Sequence, residues 1–146
     1  MSKIILTFLL TLSLSLFIQV TKANWPEKYT VHIINATPFE EPPLMVHCRS
    51  GDDDLETHIL NQTDEVNWSF HESLFKNTRY GCKFKWGIKE ANRDVFDNDH
   101  IDLCQVDKTG GQCYWYVRAD GFFLINRDVP YPYEFDDSFK QGDWDN

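Results

Sequence analysis

Three consecutive carboxylates, Asp52, Asp53 and Asp54, form the longest acidic run in this sequence. Such a run can bind calcium, contact a receptor, or cap the backbone N–H groups of a turn. Calcium loops place carboxylates at alternating positions so that several oxygens converge, and consecutive aspartates do not match that spacing. The favoured interpretations are therefore a receptor contact or a turn capped by its own aspartates.

His47 stands beside Cys48, a pair that invites comparison with a base and its thiol nucleophile. Adjacent residues of a strand point to opposite faces, so these two side chains cannot hydrogen-bond each other as catalytic partners. The remaining histidines show no metal-ligand spacing, and no short hydrolase or nucleotide-binding motif occurs. We therefore predict a protein with no catalytic residue, no metal and no cofactor.

Short β-strands are predicted to position these side chains. In the clearest of them Tyr80, Cys82, Phe84 and Trp86 share one face, while lysines share the other. Turn residues recur between such runs, which predicts an all-β fold: a small, disulfide-stapled antiparallel β-sandwich of about eight strands. Its strands are expected at 29–36, 44–49, 55–60, 65–71, 78–86, 94–97, 101–106, 112–118 and 122–126. Single helical turns are expected at 72–76 and 89–93. The acidic tail from residue 128 is expected to have irregular structure and to be partly disordered.

The first 23 residues read as a secretory signal peptide, with Lys3 before an apolar run and Thr21-Lys22-Ala23 offering small residues for cleavage. Residues 24–146 would then form a single secreted, extracellular domain without membrane insertion. Losing Lys3 and Lys22 changes the net charge from −9 to −11. So acidic a chain repels phosphates, which argues against nucleic acid as a partner.

An even number of cysteines in a small secreted chain indicates disulfides, here among Cys48, Cys82, Cys104 and Cys113. Their spacing allows three pairings and chooses none. Three N-x-S/T sequons begin at Asn35, Asn61 and Asn67. Only Asn61 is predicted to carry a glycan, because it lies in a polar turn.

An ordered set of fragments resembles the plant self-incompatibility S-protein homologue family, from about residue 31 to residue 123. The fragments are Val31-x-Ile33-x-Asn35, His47-Cys48, Gly51-Asp-Asp-Asp-Leu55, Trp68-Ser-Phe70, Phe75 with Thr78, Cys82-Lys-Phe-Lys-Trp86, Cys104, Cys113-Tyr-Trp115 and Asp120-Gly121. In one departure, Glu56 stands where the family usually has glycine after the acidic Leu. If that glycine served a positive φ, the turn here must differ or tolerate strain.

The resemblance implies a β-sandwich with two intrachain disulfides. We favour Cys48–Cys113 with Cys82–Cys104, because bridges across long loops remove more chain entropy, about 3–5 kcal/mol each, than the alternative Cys104–Cys113. The best-known relatives are stigmatic ligands that trigger rejection of self pollen through a receptor on the pollen surface. The resemblance thus implies a secreted signalling ligand, recognised through surface loops by a cell-surface receptor, with Asp52, Asp53 and Asp54 as candidate contacts. The alternative is an extracellular defence or cell-wall-binding module without catalysis.

Overall fold

The computed structural model describes residues 3–11, 28–71, 78–108 and 110–146. Residues 3–11 are helical. The strands in the described ranges are β1 (Lys28–Asn35), β2 (Leu44–Arg49), β3 (Asp54–Leu60), β4 (Glu65–His71), β5 (Tyr80–Trp86), β6 (Lys89–Phe96), β7 (Gln105–Asp107), β8 (Gly110–Arg118), β9 (Gly121–Ile125) and β10 (Lys140–Gly142). Short 3₁₀ helices span Ile101–Leu103 and Asp137–Phe139. The predicted cleavage site at 21–23 and the predicted turn at 72–76 lie outside the described residues.

Two sheets build the fold. One has the order β10-β9-β8-β1-β4, with β7 also paired to β8, and the other has the order β3-β2-β5-β6. Every pairing is antiparallel except that between β1 and β8, which run parallel with Tyr29 opposite Gly111. The prediction of an all-β, antiparallel-rich sandwich is confirmed, with ten strands instead of about eight among the described residues.

Alternation within the strands explains the main core. The inward residues of β1, Tyr29, Val31 and Ile33, are buried against inward residues of β2, β5, β8 and β9. Rings meet across the layers, with Phe84 and Phe122 centroids 4.8 Å apart. Trp115 is also buried, as the alternating pattern predicts. Filling a core with such large side chains stabilises the fold strongly, since truncating one buried Phe to Ala typically costs about 3–5 kcal/mol.

The close approach of β1 and β8 depends on glycine. A Cβ on Gly111 would lie 2.2 Å from Cδ1 of Tyr29, whose ring crosses directly over that position. A Cβ on Gly110 would lie 2.0 Å from the carbonyl oxygen of Lys28. The parallel pairing at the centre of the larger sheet therefore requires a residue without a side chain at the start of β8.

The C-terminal segment forms a further layer, contrary to the expectation of a wandering tail. Val129, Tyr133 and Phe135 cover the outer face of β8 and β9, where Tyr116 and Phe123 are fully buried. Farther on, the indole of Trp144 packs on Phe122 with centroids 4.9 Å apart. Apolar contacts on both faces of the larger sheet hold the tail in place, although its acidic composition predicted a segment exposed to solvent.

The prediction of a helical turn at 89–93 is wrong, because these residues belong to β6. The C-terminal segment helps to hold them in that strand. Glu90 N–H donates to Asn146 Oδ1 at 2.7 Å, and Asn92 N–H donates to Asp145 Oδ2 at 2.9 Å. Arg93 donates to the carbonyl of Asp143 and to Asp145 Oδ1. Tail side chains thus satisfy the open edge of β6, which would otherwise expose unpaired backbone groups.

The disulfides are Cys48–Cys82 and Cys104–Cys113, so the predicted pairing of Cys48 with Cys113 and of Cys82 with Cys104 is wrong. Cys48 and Cys82 face each other on β2 and β5, with Cα atoms 4.0 Å apart. Cys104 immediately precedes β7 and is bonded to Cys113 of β8, with Cα atoms 4.4 Å apart. Strand register decides which cysteines come within bridging distance, and loop entropy acts only on pairs that geometry already allows.

Candidate functional site

The acidic run lies in the loop between β2 and β3, and Ser50 organises its turn. Ser50 Oγ accepts hydrogen bonds from the backbone N–H groups of Asp52 at 3.3 Å and of Asp53 at 3.0 Å. Ser50 N–H donates to the carbonyl of Asp53 at 2.8 Å. Residues 50–54 are called the acidic turn below. Its backbone is fixed by internal hydrogen bonds, so the turn presents its carboxylates in a defined geometry.

Asp54 is the structural member of the run. His47 Nε2 donates to its Oδ1 at 2.6 Å, and Glu56 N–H donates to the same oxygen at 2.9 Å. The pKa of the Asp54 carboxyl is held below its ordinary value, first by the His47 hydrogen bond and then by the Glu56 N–H. This carboxylate therefore anchors the start of β3 instead of facing a partner freely.

Glu56 adopts a φ of 62°, the left-handed conformation that favours glycine. The β2–β3 register shifts between His47 and Arg49, so Glu56 lies in a β-bulge beside Cys48. Of the two outcomes expected for a residue in place of the family's glycine, the structure shows the strained one. The Asp54 hydrogen bond to the Glu56 N–H supports that conformation.

The other two aspartates of the acidic turn are also exposed. Tyr80 Oη lies 3.5 Å from Asp53 Oδ2, and burial is the largest cause that raises the pKa of this phenol. Asp52 forms no side-chain hydrogen bond or ion pair with any residue that the structure describes. The sequence grouped three aspartates as one candidate contact, and the geometry distinguishes Asp54, whose carboxylate is hydrogen-bonded by His47 and Glu56, from Asp52 and Asp53.

A second feature beside the acidic turn was missed at the level of sequence. The outward faces of β2, β5 and β6 border a solvent-open concavity of about 820 Å³, called here the basic concavity. The residues lining it that matter below are Arg49, Ser50, Arg79, Gly81, Lys83 and Asn92. Alternation in β5 had already placed Lys83 on the solvated face. The strand order β2-β5-β6, which brings Arg49 and Asn92 beside it, is not visible in one strand's sequence.

Among the described residues, no group of three or more His, Cys, Asp or Glu could hold a metal ion. The half-buried His32 has both ring nitrogens engaged, Nδ1 at 2.8 Å from Glu65 Oε2 and Nε2 at 2.8 Å from Gln112 Oε1. Its ring stacks on Tyr114 at 4.5 Å. These contacts fix the ring within the sheet surface.

The three sequons differ in accessibility. Asn35 is fully buried, donates from Nδ2 to the carbonyl of Leu60 and accepts from both N and Oγ1 of Thr37, so it forms part of the core. Asn61 and Asn67 are exposed. Asn61 lies in the β3–β4 turn, so glycosylation there stays a prediction. No helix in the described part of the chain is long and apolar enough to span a membrane.

Fold and surface together define a small, disulfide-crosslinked β-sandwich protein that displays charged loops on a rigid frame. Comparison with known proteins identifies the class further. A sequence profile described as plant self-incompatibility protein S1 matches residues 30–137, so the chain belongs to this family. Both disulfides and the acidic turn lie within the matched range.

Individual relatives agree. S-protein homolog 29 of Arabidopsis thaliana is 31% identical over 114 residues, which cover 75% of this chain and 78% of that protein. S-protein homolog 5 of the same plant is 31% identical over 81 residues, 55% of this chain and 59% of that protein. A solved structure of self-incompatibility protein homologues shares the fold, with a TM-score of 0.54 and 20% sequence identity. The match covers 82% of this chain and 96% of the solved one. It is described as representing a widespread family of small, highly stable, secreted proteins from plants. As a member of this family, the chain is a secreted protein.

Proposed function

We propose that this chain is an extracellular signalling ligand without catalytic activity, recognised by a cell-surface receptor through the acidic turn. The observation that carries the proposal is the geometry of Asp52 and Asp53. Both carboxylates are exposed on a backbone that Ser50 already holds in place. Preorganised groups lose little conformational entropy on binding, which favours recognition over a role confined to closing the turn.

The charge of the chain supports a cationic receptor surface. Its net charge of −9 would attract a basic partner over a distance and speed the encounter. Within the acidic turn, Asp54 is engaged by His47 and therefore serves to position the two exposed aspartates. Membership of a family named for self-incompatibility supports a role in recognition.

The test is binding of the folded protein to plasma-membrane vesicles from the plant that makes it. Replacing both exposed aspartates, Asp52→Asn with Asp53→Asn, removes two charges without changing side-chain size. The matched control, Asp99→Asn with Asp102→Asn, removes the same charge from another exposed loop.

We expect the acidic-turn variant to lose about tenfold or more in affinity, and the control to change little. Equal binding by both variants, with thermal unfolding like that of the unmodified protein, would remove the acidic turn from the account. Equal weakening of both would show that only overall charge matters.

A further inference from the structure

The basic concavity contains two cations, Arg49 and Lys83, that have no ion-pair partner among the described residues, although Arg49 lies across from Asp54 in the β2–β3 register and helps to lower the pKa of that carboxyl. Arg79 forms an ion pair with Asp94, and Lys85 lies 3.9 Å from Glu90. Arg49 and Lys83 are both exposed and form no ion pair or hydrogen bond with any described residue. Two unpaired cations on one face stand out in a chain with 23 acidic and 14 basic residues.

Strand register keeps these two cations close together. Arg49 lies opposite Gly81 across β2 and β5, and Lys83 lies opposite His47. They are therefore diagonal neighbours on the same face, a relation that separates their Cα atoms by about 7–8 Å. Like charges at this distance repel each other unless an anion lies between them.

The backbone leaves room for such an anion. Gly81 adds no side chain to this face, and the Asp94 carboxylate, which is paired with Arg79, lies 3.3 Å from where a Cβ would be. The anion is therefore expected on the side of the concavity that Arg49 and Lys83 line. Register shifts in β2–β3 and in β5–β6 fall at this same end of the sheet. Bulges increase local twist, which turns an otherwise flat sheet face into a concave one.

The lining also indicates what kind of anion fits. No Phe, Tyr, Trp, Leu, Ile, Val or Met lines the basic concavity. Peptides bind through apolar or aromatic anchors buried in pockets, and this surface offers no such pocket. It offers the cations Arg49 and Lys83 with the amide side chain of Asn92 and the hydroxyl of Ser50. These groups suit a ligand with carboxylates and many hydroxyls and no apolar part.

We propose that the basic concavity is a binding site for an acidic oligosaccharide, a chain of uronic acid units. Arg49 and Lys83 bind carboxylates of neighbouring sugars, and Asn92 hydrogen-bonds sugar hydroxyls between them. The site uses none of the aspartates of the acidic turn. The two surfaces share Ser50 and Gly51, but Asp52 and Asp53 lie outside the lining of the concavity. A secreted ligand with both surfaces can be retained on an anionic polysaccharide while these two carboxylates stay open to a receptor.

The test is isothermal titration of the whole secreted protein with a hexamer of galacturonic acid. The fully methyl-esterified hexamer, which lacks the charges, serves as the ligand control. Hexaglutamate represents an acidic peptide. The protein variants are Arg49→Gln with Lys83→Gln, and a matched control, Lys28→Gln with Lys108→Gln, that removes equal charge from exposed positions elsewhere. A further variant, Gly81→Val, adds a side chain within the concavity and keeps every charge. Unchanged thermal unfolding of this variant is required, because its Cβ would lie 3.3 Å from Asp94 Oδ1.

We expect the unmodified protein to bind the hexamer with an affinity that falls as salt rises, because the contacts are ionic. Affinity should fall about tenfold or more in Arg49→Gln with Lys83→Gln. It should also fall clearly in Gly81→Val, and less than about twofold in the control. The esterified hexamer should not bind.

Three results would overturn the proposal. They are absence of binding by the unmodified protein, equal weakening in the matched control, or hexaglutamate binding as tight as that of the sugar. The last result would assign the concavity to an acidic peptide. Amide chemical shifts of residues 49, 83 and 92 provide a second readout that is insensitive to small changes in stability.

Discussion

Replacing Glu56 by glycine should stabilise this protein, although glycine in a strand normally destabilises. Glu56 has a φ of 62° within the β2–β3 bulge, and its side chain is exposed. A left-handed conformation costs an L-residue about 1–2 kcal/mol, a cost that glycine does not carry. Glycine in turn adds unfolded-state entropy that opposes folding by about 0.5–1 kcal/mol.

The difference between these terms predicts that Glu56→Gly raises the free energy of unfolding by about 0.5–1 kcal/mol. For a domain of this size that corresponds to a rise in Tm of about 2–5 °C. The assay is equilibrium unfolding in guanidinium chloride with both disulfides intact. It should show a higher midpoint at an unchanged slope, the sign that stability alone has changed.

Thr57→Gly is the matched control, because Thr57 is the next residue of β3, is exposed, and is not among the positive-φ residues. It should lower the free energy of unfolding by about 0.5–1 kcal/mol. Opposite signs at adjacent positions would show that backbone conformation decides the effect. If Glu56→Gly destabilised as much as Thr57→Gly, the strain assigned to the bulge would be refuted.

Three further substitutions test other parts of the structure. Gly111→Ala should destabilise by about 1–3 kcal/mol, because its Cβ would collide with the buried ring of Tyr29; an unchanged denaturation midpoint would contradict the close β1–β8 approach. Tyr116→Phe should cost about 1–3 kcal/mol and speed proteolysis of the tail, because the buried Val129 N–H now donates to Tyr116 Oη at 2.7 Å. Burial raises the pKa of Tyr116. The stabilisation that the neutral phenol provides is therefore complete below its ordinary pKa of about 10 and is lost as pH rises above that value. Tyr116→Phe should lose less stability at alkaline pH than the unmodified protein, and identical pH profiles would refute this assignment. The lowered pKa of Asp54 means that its carboxylate stabilises the fold above the ordinary pKa of about 4 and that this stabilisation is lost as pH falls. Between pH 6 and 2, the free energy of unfolding should therefore depend less on pH in Asp54→Asn than in the unmodified protein. Parallel stability curves for the two proteins would refute the His47–Asp54 assignment.

The sequence predicts best those elements whose alternation is strong. Tyr80, Cys82 and Phe84 are all buried on one face of β5, as their period of two indicates. It predicts β6 poorly, because Lys89–Phe96 begins with charged residues whose partners come from the far C-terminus. One edge of β6 pairs locally with β5 in a hairpin, but the groups that satisfy its other edge come from the far C-terminus, and periodicity within a short window does not contain them.

The tail illustrates the same limit. Tyr133, Phe135 and Trp144 are spaced irregularly among acids and prolines, so no helical or strand pattern marks them. Each nevertheless packs on an apolar surface of β8, β9 or β5. The disulfide pairing likewise follows from register, which places Cys48 opposite Cys82.

The candidate surface was predictable in part. The aspartate run locates the acidic turn, but only the structure separates Asp54, bound by His47, from the exposed Asp52 and Asp53. The basic concavity depends on three strands lying side by side. Its cations are distant in sequence, which hides them from any local motif.

The most direct test of the recognition proposal is site-specific photo-crosslinking to plasma-membrane vesicles. A benzophenone side chain would replace either Asp52 in the acidic turn or Asp102 in the 3₁₀ helix before β7. We expect one cross-linked membrane protein from position 52, abolished by excess unmodified ligand, and none from position 102. Cross-linking from position 102 alone, or the same products from both positions, would contradict the recognition proposal.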